Sequence, residues 1–133
     1  MCQFFYYANL PIKTPCDYGN KIVDLTFSFS LKIISFTAKL EEKRKFTIAN
    51  QLLRSGTSIG ANAREAQNSE SKADFIHKFK IAAKEAEETE YWLLLCQYSE
   101  NYPFEIELLE NIKEIQRIIN SILNSAKTNK AHI

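Results

Sequence analysis

The sequence predicts an all-α fold, an antiparallel up-down-up-down four-helix bundle, from three observations. Apolar residues recur at three- and four-residue spacing along four long stretches, the signature of amphipathic helices. Short turn signals separate the stretches: Glu41-Glu42-Lys43-Arg44-Lys45, Asn68-Ser69-Glu70-Ser71 and Asn101-Tyr102-Pro103. The second stretch is built from small residues, with Ser55, Gly56, Ser58, Gly60, Ala61 and Ala63 in close succession, and small residues let a neighbouring helix approach closely. Helices joined by short turns pack against their sequence neighbours in alternating direction.

Residues 1–20 contain Pro11, Pro15 and Gly19 and show no periodicity, so an irregular leader is expected there. Its aromatic run, Phe4, Phe5, Tyr6 and Tyr7, is unusual for a free tail and suits packing onto the domain. The bundle is expected over residues 21–128, with a short tail at 129–133.

The first helix is predicted over about residues 24–43. Leu25, Phe27, Phe29, Leu31 and Ile33 alternate with polar residues and also fit a half-buried strand. The apolar content runs on to Leu40 without a turn signal, which is long for a strand. Read as a helix, it carries two stripes: Leu25, Phe29, Ile33, Phe36 and Leu40, and nearly opposite them Phe27, Leu31, Ile34 and Ala38. A helix with two apolar faces sits between its own bundle and something else.

The second helix, about 47–67, has Thr47 as its expected cap. Each interior glycine costs roughly 1 kcal/mol relative to alanine, which close helix packing would offset. The alternative is a break at Gly56 or Gly60.

Ser71 followed by Asp74 resembles a capping box and opens a third helix, about 72–100. Its core stripe is Phe75, Phe79, Ala82, Ala86, Leu93 and Cys96, interrupted by Thr89, and it turns apolar all round at Tyr91-Trp92-Leu93-Leu94-Leu95. Asn101, a left-handed cap, and Pro103 stop it. The last helix, about 104–127, has the cleanest stripe, Leu108, Ile112, Ile115, Ile119, Ile122 and Ala126.

Composition narrows the function. With 45% hydrophobic and 25% charged residues, the 133-residue chain is long enough for one core without staples. Its formal net charge of +1 argues against a dedicated nucleic-acid binder, which gains most of its non-specific affinity from a basic excess. Cys2, Cys16 and Cys96 offer no zinc spacing, and an odd count fits a reducing cytoplasm. Neither a secretory signal nor a membrane-spanning run is evident.

Candidate chemistry is sparse. His77 and His132 have no carboxylate or cysteine at a ligand spacing that other helices repeat. Glu85, Glu87, Glu88 and Glu90 invite a metal-binding bundle as an alternative, but the Glu-x-x-His motif of di-metal bundles is missing, and a solvated helix face accounts for them better. No metal, cofactor or catalytic residue is assigned. Arg54, Arg64, Lys72, Lys78, Lys80 and Lys84 form a candidate basic strip for RNA or DNA, against the plainer reading that they keep helix faces in water. Asn62, with Arg64 and Glu65, is a candidate polar contact between the second and third helices.

The run Gln51-Leu52-Leu53-Arg54-Ser55-Gly56-Thr57-Ser58-Ile59-Gly60-Ala61-Asn62 resembles the 23S rRNA-intervening-sequence proteins, a bacterial four-helix-bundle family. So do Glu65-Ala66-Gln67, Ser71-Lys72 with Asp74-Phe75, Lys84-Glu85-Ala86, and Glu88-Thr89 with Tyr91-Trp92-Leu93. The similarity extends from about Lys21 to Lys127 and leaves residues 1–16 outside. The resemblance implies a left-handed bundle assembled as a ring-like homopentamer, decides for helix over strand at Leu25, and supplies no catalytic residues. The related accessory proteins of diversity-generating retroelements are strongly basic and bind nucleic acid, whereas this chain is nearly neutral.

The expectation is a cytoplasmic, non-enzymatic oligomeric scaffold or adaptor with an unnamed protein partner; nucleic-acid binding is the second reading. Phe27, Leu31, Ile34, Trp92 and Leu95 are the candidate subunit interface, because one small bundle cannot turn all of them inward.

Overall fold

A computed structural model describes residues 5–7, 10–12 and 20–131, with side chains over residues 20–127. Among the described residues there are four helices: α1 (Lys21–Glu42), α2 (Phe46–Ala66), α3 (Lys72–Tyr98) and α4 (Ile106–Ala131). Ahead of them, β1 (Phe5–Tyr7) and β2 (Leu10–Ile12) pair as a small antiparallel hairpin. The side chains of the aromatic run Phe4 to Tyr7 lie outside the described residues, as do residues 1–4, 8, 9 and 13–19 of the leader and His132.

The directions of the helices follow from which residues meet. Ile33 faces Gly56 while Thr26, earlier in α1, faces Gly60, later in α2, so the two helices run antiparallel. Ser55 meets Thr89 and Glu65 meets Lys78, which makes α3 antiparallel to α2. Lys39 meets Glu105 and Lys32 meets Glu107 and Asn111, which makes α4 antiparallel to α1.

The core is the set of inward stripes. Ile33, Leu40, Leu52, Ile59, Phe79, Leu93, Ile112, Ile115 and Ile119 are all fully buried, as the 3/4 spacing requires. At roughly 1.5–3 kcal/mol for each large side chain, this burial is the main favourable term of the fold. Of the two stripes on α1, Phe29, Ile33, Phe36 and Leu40 are buried, whereas Leu31, Ile34 and Ala38 are exposed.

Both glycines of α2 lie inside an unbroken helix and face α1. A Cβ on Gly56 would sit 2.9 Å from Ile33 Cγ2, and one on Gly60 would sit 3.3 Å from the Thr26 carbonyl oxygen. Close approach of α1, rather than a break, is therefore what the glycines permit.

The helix ends differ in how they are built. Asn20 Oδ1 accepts from the Val23 amide and Ser71 Oγ accepts from the Asp74 amide, so α1 and α3 carry side-chain caps. Thr47, expected to cap α2, does not. Arg44 takes a left-handed backbone, φ 62°, and the amide of Lys45 bonds back to the Leu40 carbonyl. The turn thus closes early, Lys45 becomes the capping position without a side-chain bond, and Thr47 falls inside the first turn. Asn101 has φ 63°, the left-handed stop expected of it.

Candidate interaction surfaces

Two outward apolar patches stand out, and register sets the α3 patch roughly 9 Å further along the bundle than the α1 patch. Ile33 is level with Gly56 and Thr89 with Ser55, so α1 near Ile33 and α3 near Thr89 share a level on either side of α2. The first patch follows α1: Phe27 is half-buried, Leu31 is 37% exposed and Ile34 50%. The second follows α3: Leu93 turns fully inward, Trp92 and Leu95 are half-buried, and Tyr91 is 56% exposed. All five candidate interface residues thus retain accessible surface in the single chain. Phe46, Tyr98 and Ile106 add exposed apolar surface toward the end of the bundle where α2 and α4 begin.

Trp92 is held in place. Its Nε1 donates to Glu88 Oε2 at 3.0 Å, Arg54 of α2 pairs with both Glu88 and Glu85, and Tyr91 stacks edge-on at 5.3 Å between ring centroids. Three glutamates of the run read as an alternative metal site are therefore engaged otherwise: Glu85 and Glu88 with Arg54, and Glu90 accepting from Gln116 of α4. Among the described residues no three His, Cys, Asp or Glu side chains converge as a metal would require.

The same network divides the candidate basic strip. Arg54 is committed to two carboxylates, and Lys78 to Glu65 at 2.9 Å, a contact whose hydrogen bond holds the Lys78 ammonium above its ordinary pKa. Arg64 borders α1, Lys72 borders α4, and Lys80 and Lys84 are exposed on α3. The six basic residues do not gather on one face.

Between α1 and α2 lies a groove of about 220 Å³, lined by Val23, Phe27 and Ser30 on one side and Thr57, Gly60, Ala61 and Arg64 on the other. The small residues of α2 form its floor. Ser30 and Thr57 spend their hydroxyl protons on carbonyls of their own helices, leaving the groove mostly apolar. A second hollow lies between α3 and α4, bordered by Lys72, Phe75, Ser121, Ile122, Ser125 and Ala126.

The polar contact expected at Asn62 is realised elsewhere. The Asn62 amide donates to Ser58 on its own helix, because its position on α2 sets it outside the buried seam; only Glu65 crosses to α3. The buried polar link between these helices is Ser55 with Thr89, whose hydroxyls lie 2.9 Å apart and are both fully buried. Thr89 Oγ1 also lies 2.8 Å from the Glu85 carbonyl, so a residue that looked like an interruption of the stripe is partnered across the seam. Cys96 is buried, and burial pushes its thiol pKa up to about 11, which suits packing rather than nucleophilic chemistry.

These features define a helical bundle with apolar surface to spare. A family model, 23S rRNA-intervening sequence protein, matches residues 19–121, and the chain belongs to that family. A solved structure from Bacteroides thetaiotaomicron, described as a protein of unknown function from the S23 ribosomal protein family, is 42% identical, with a TM-score of 0.73. The match covers 77% of this chain and 97% of that one. No curated protein matches. No helix among the described residues is long and apolar enough to cross a membrane.

Proposed function

We propose that the protein is a non-enzymatic scaffold or adaptor of the cytoplasm that works as a homo-oligomer. The observation that carries this reading is the pair of apolar patches on α1 and α3, on different sides of the bundle. Leu31 and Ile34 on one and Tyr91, Trp92 and Leu95 on the other leave apolar surface that soluble monomers rarely keep in contiguous patches. Two different patches suit a head-to-tail contact, which closes into a ring when the rotation allows. Five subunits is the number the family resemblance implies.

Sedimentation equilibrium of the purified chain tests the reading, with Leu31→Asp/Ile34→Asp as the comparison. Both positions are exposed, so the double variant should fold while its mass falls to that of the 15.4 kDa chain. A monomeric wild type at micromolar concentration would end the proposal; a smaller oligomer would correct only the number. Pull-down from the native host, with and without nuclease, identifies the partner class. Recovery that depends on nucleic acid would favour the accessory-protein reading, which the neutral charge and the commitments of Arg54 and Lys78 speak against.

A further inference from the structure

Charge is sorted along α3 and α4 in an order that the bundle itself does not favour. Over residues 72–84, α3 carries Lys72, Lys78, Lys80 and Lys84 against one acid, Asp74. Over residues 85–98 it carries four glutamates and no lysine or arginine. The helix macrodipole favours the reverse, acids in the first turns and bases in the last. α4 runs antiparallel to α3, with Gln116 bonded to Glu90, and has no acid after Glu114. Its basic end therefore lies beside the basic end of α3, and its acidic start beside the acidic end. Like charges gather at each end of one face, and a local rule broken without gain inside the fold points outward.

The exposed members of this pattern are not neutralised within the bundle. Lys80, Lys84, Glu87, Glu110, Arg117 and Lys127 are all exposed, and no ion pair among the described residues includes them. The outward stripe of α3 is also self-complementary. Ala73, Lys80, Lys84, Glu87, Tyr91 and Tyr98 follow one another at helical spacing, and all are exposed. Their spacing reads the same in both directions about the midpoint between Glu85 and Ala86. Turned end for end about that point, the stripe sets Lys84 opposite Glu87 and Lys80 opposite the ring of Tyr91. It also sets the small Ala73 opposite Tyr98, which is 81% exposed.

We propose that this face binds a second copy of the chain, antiparallel, about a two-fold axis between Glu85 and Ala86. A second copy turned end for end carries the complement of both halves at once. Its glutamates meet the lysines and its lysines meet the glutamates, and symmetry forms the Lys84–Glu87 contact twice. Lys80 over Tyr91 adds a cation–π contact. A polyanion, by contrast, would be drawn to one half and repelled by the other, and the net charge of +1 gives it no long-range pull. Opposed exposed charges orient an encounter more than they tighten it, so the pairing is weak in ordinary salt and grows as salt is removed. It uses neither Leu31 nor Ile34 and does not depend on the head-to-tail contact proposed above.

Sedimentation equilibrium of the full chain carrying Leu31→Asp/Ile34→Asp isolates the pairing, because the head-to-tail contact is then removed. In about 10 mM salt, where the Debye length is about 30 Å, the mass should be twice that of the 15.4 kDa chain. In about 1 M salt, where that length is about 3 Å, it should return to the mass of one chain. Lys84→Glu should weaken the low-salt association about tenfold, since the substitution acts twice across the two-fold. Lys84→Glu/Glu87→Lys should restore it, because the same contact forms with its signs exchanged. Both positions are exposed, so the helical melts of these variants should match. A monomer in low salt, an unaltered affinity in Lys84→Glu, or no rescue by the double variant would each overturn the proposal. So would an oligothymidylate of about 15 nucleotides that splits the low-salt dimer, which would give the basic half to nucleic acid instead. In the wild type, whatever the size of its oligomer, the mass in low salt should exceed that in high salt; equal masses would count against the pairing.

Discussion

The seams around α2 and the edge between α1 and α4 hold the same bundle together by different means. At the centre of the α2 seams the contacts exclude water: Gly56 against Ile33, Gly60 against Thr26, and the buried hydroxyls of Ser55 and Thr89, with the ion pairs of Arg54 and Glu65 at the exposed rim. Along the outer edge of α1 and α4 the polar contacts keep their water. Lys32 pairs with Glu107 at 2.7 Å and Lys39 with Glu105 at 2.7 Å, and all four side chains stay more than a third exposed. Exposed pairs gain little net energy, because solvent and salt screen them, whereas a buried polar group left alone loses its full hydration. The seams of α2 therefore set stability and register, and the α1–α4 edge tunes charge and solubility.

The sharpest way to break this contrast is Gly56→Leu. The new side chain must enter space held by Ile33, and overpacking of this kind typically costs about 1–3 kcal/mol, read as a lower denaturation midpoint. A midpoint equal to wild type would show that α1 and α2 can separate freely.

Next in size is the hydroxyl pair. Thr89→Val removes Ser55's partner across the seam and should cost about 1–2 kcal/mol by chemical denaturation. Ser55→Ala should behave similarly. The double variant should cost clearly less than the sum, since neither hydroxyl is then left without its mate. Strict additivity would mean that the two groups do not interact.

The smallest effects belong to the edge. Lys39→Ala should shift the midpoint less than either seam variant, and the difference should shrink further in high salt. Acid provides the same test without mutation. The Lys32 hydrogen bond and charge hold Glu107 below its ordinary value of 4.5. Its contribution is therefore complete above that value and fades as pH falls through the lower folded value. Replacing Lys32 with Met should flatten the pH profile below 4.5, whereas Gly56→Leu should displace the whole curve without changing its slope there.

The contrast also explains what could be read from the chain. Periodicity within a helix is local, so the inward stripes of α1 and α4 were legible, as were the caps at Ser71 and Asn101. Contacts between helices depend on register, which spacing alone does not supply. Thr89 looked like a flaw in an apolar stripe until Ser55 arrived opposite it. Arg54 and Lys78 looked like part of a basic strip until Glu85, Glu88 and Glu65 met them from the neighbouring helix. The misplaced cap at Thr47 has another origin: an arginine in the left-handed region, where glycine or asparagine is the usual signal, closed the preceding turn early.

Cys96 has a practical consequence. It sits one turn beyond Trp92, is sealed by packing, and holds its proton well above neutral pH. A thiol reagent therefore reaches it only while α3 is momentarily open, and each modification event records one such opening. With Cys2 and Cys16 replaced, the chain carries its own stopwatch, and no dye need be attached. Because its stretch of α3 also carries Trp92 and Leu95, association through that patch should slow the stopwatch as protein concentration rises, while a patch left bare would let it run at one speed throughout.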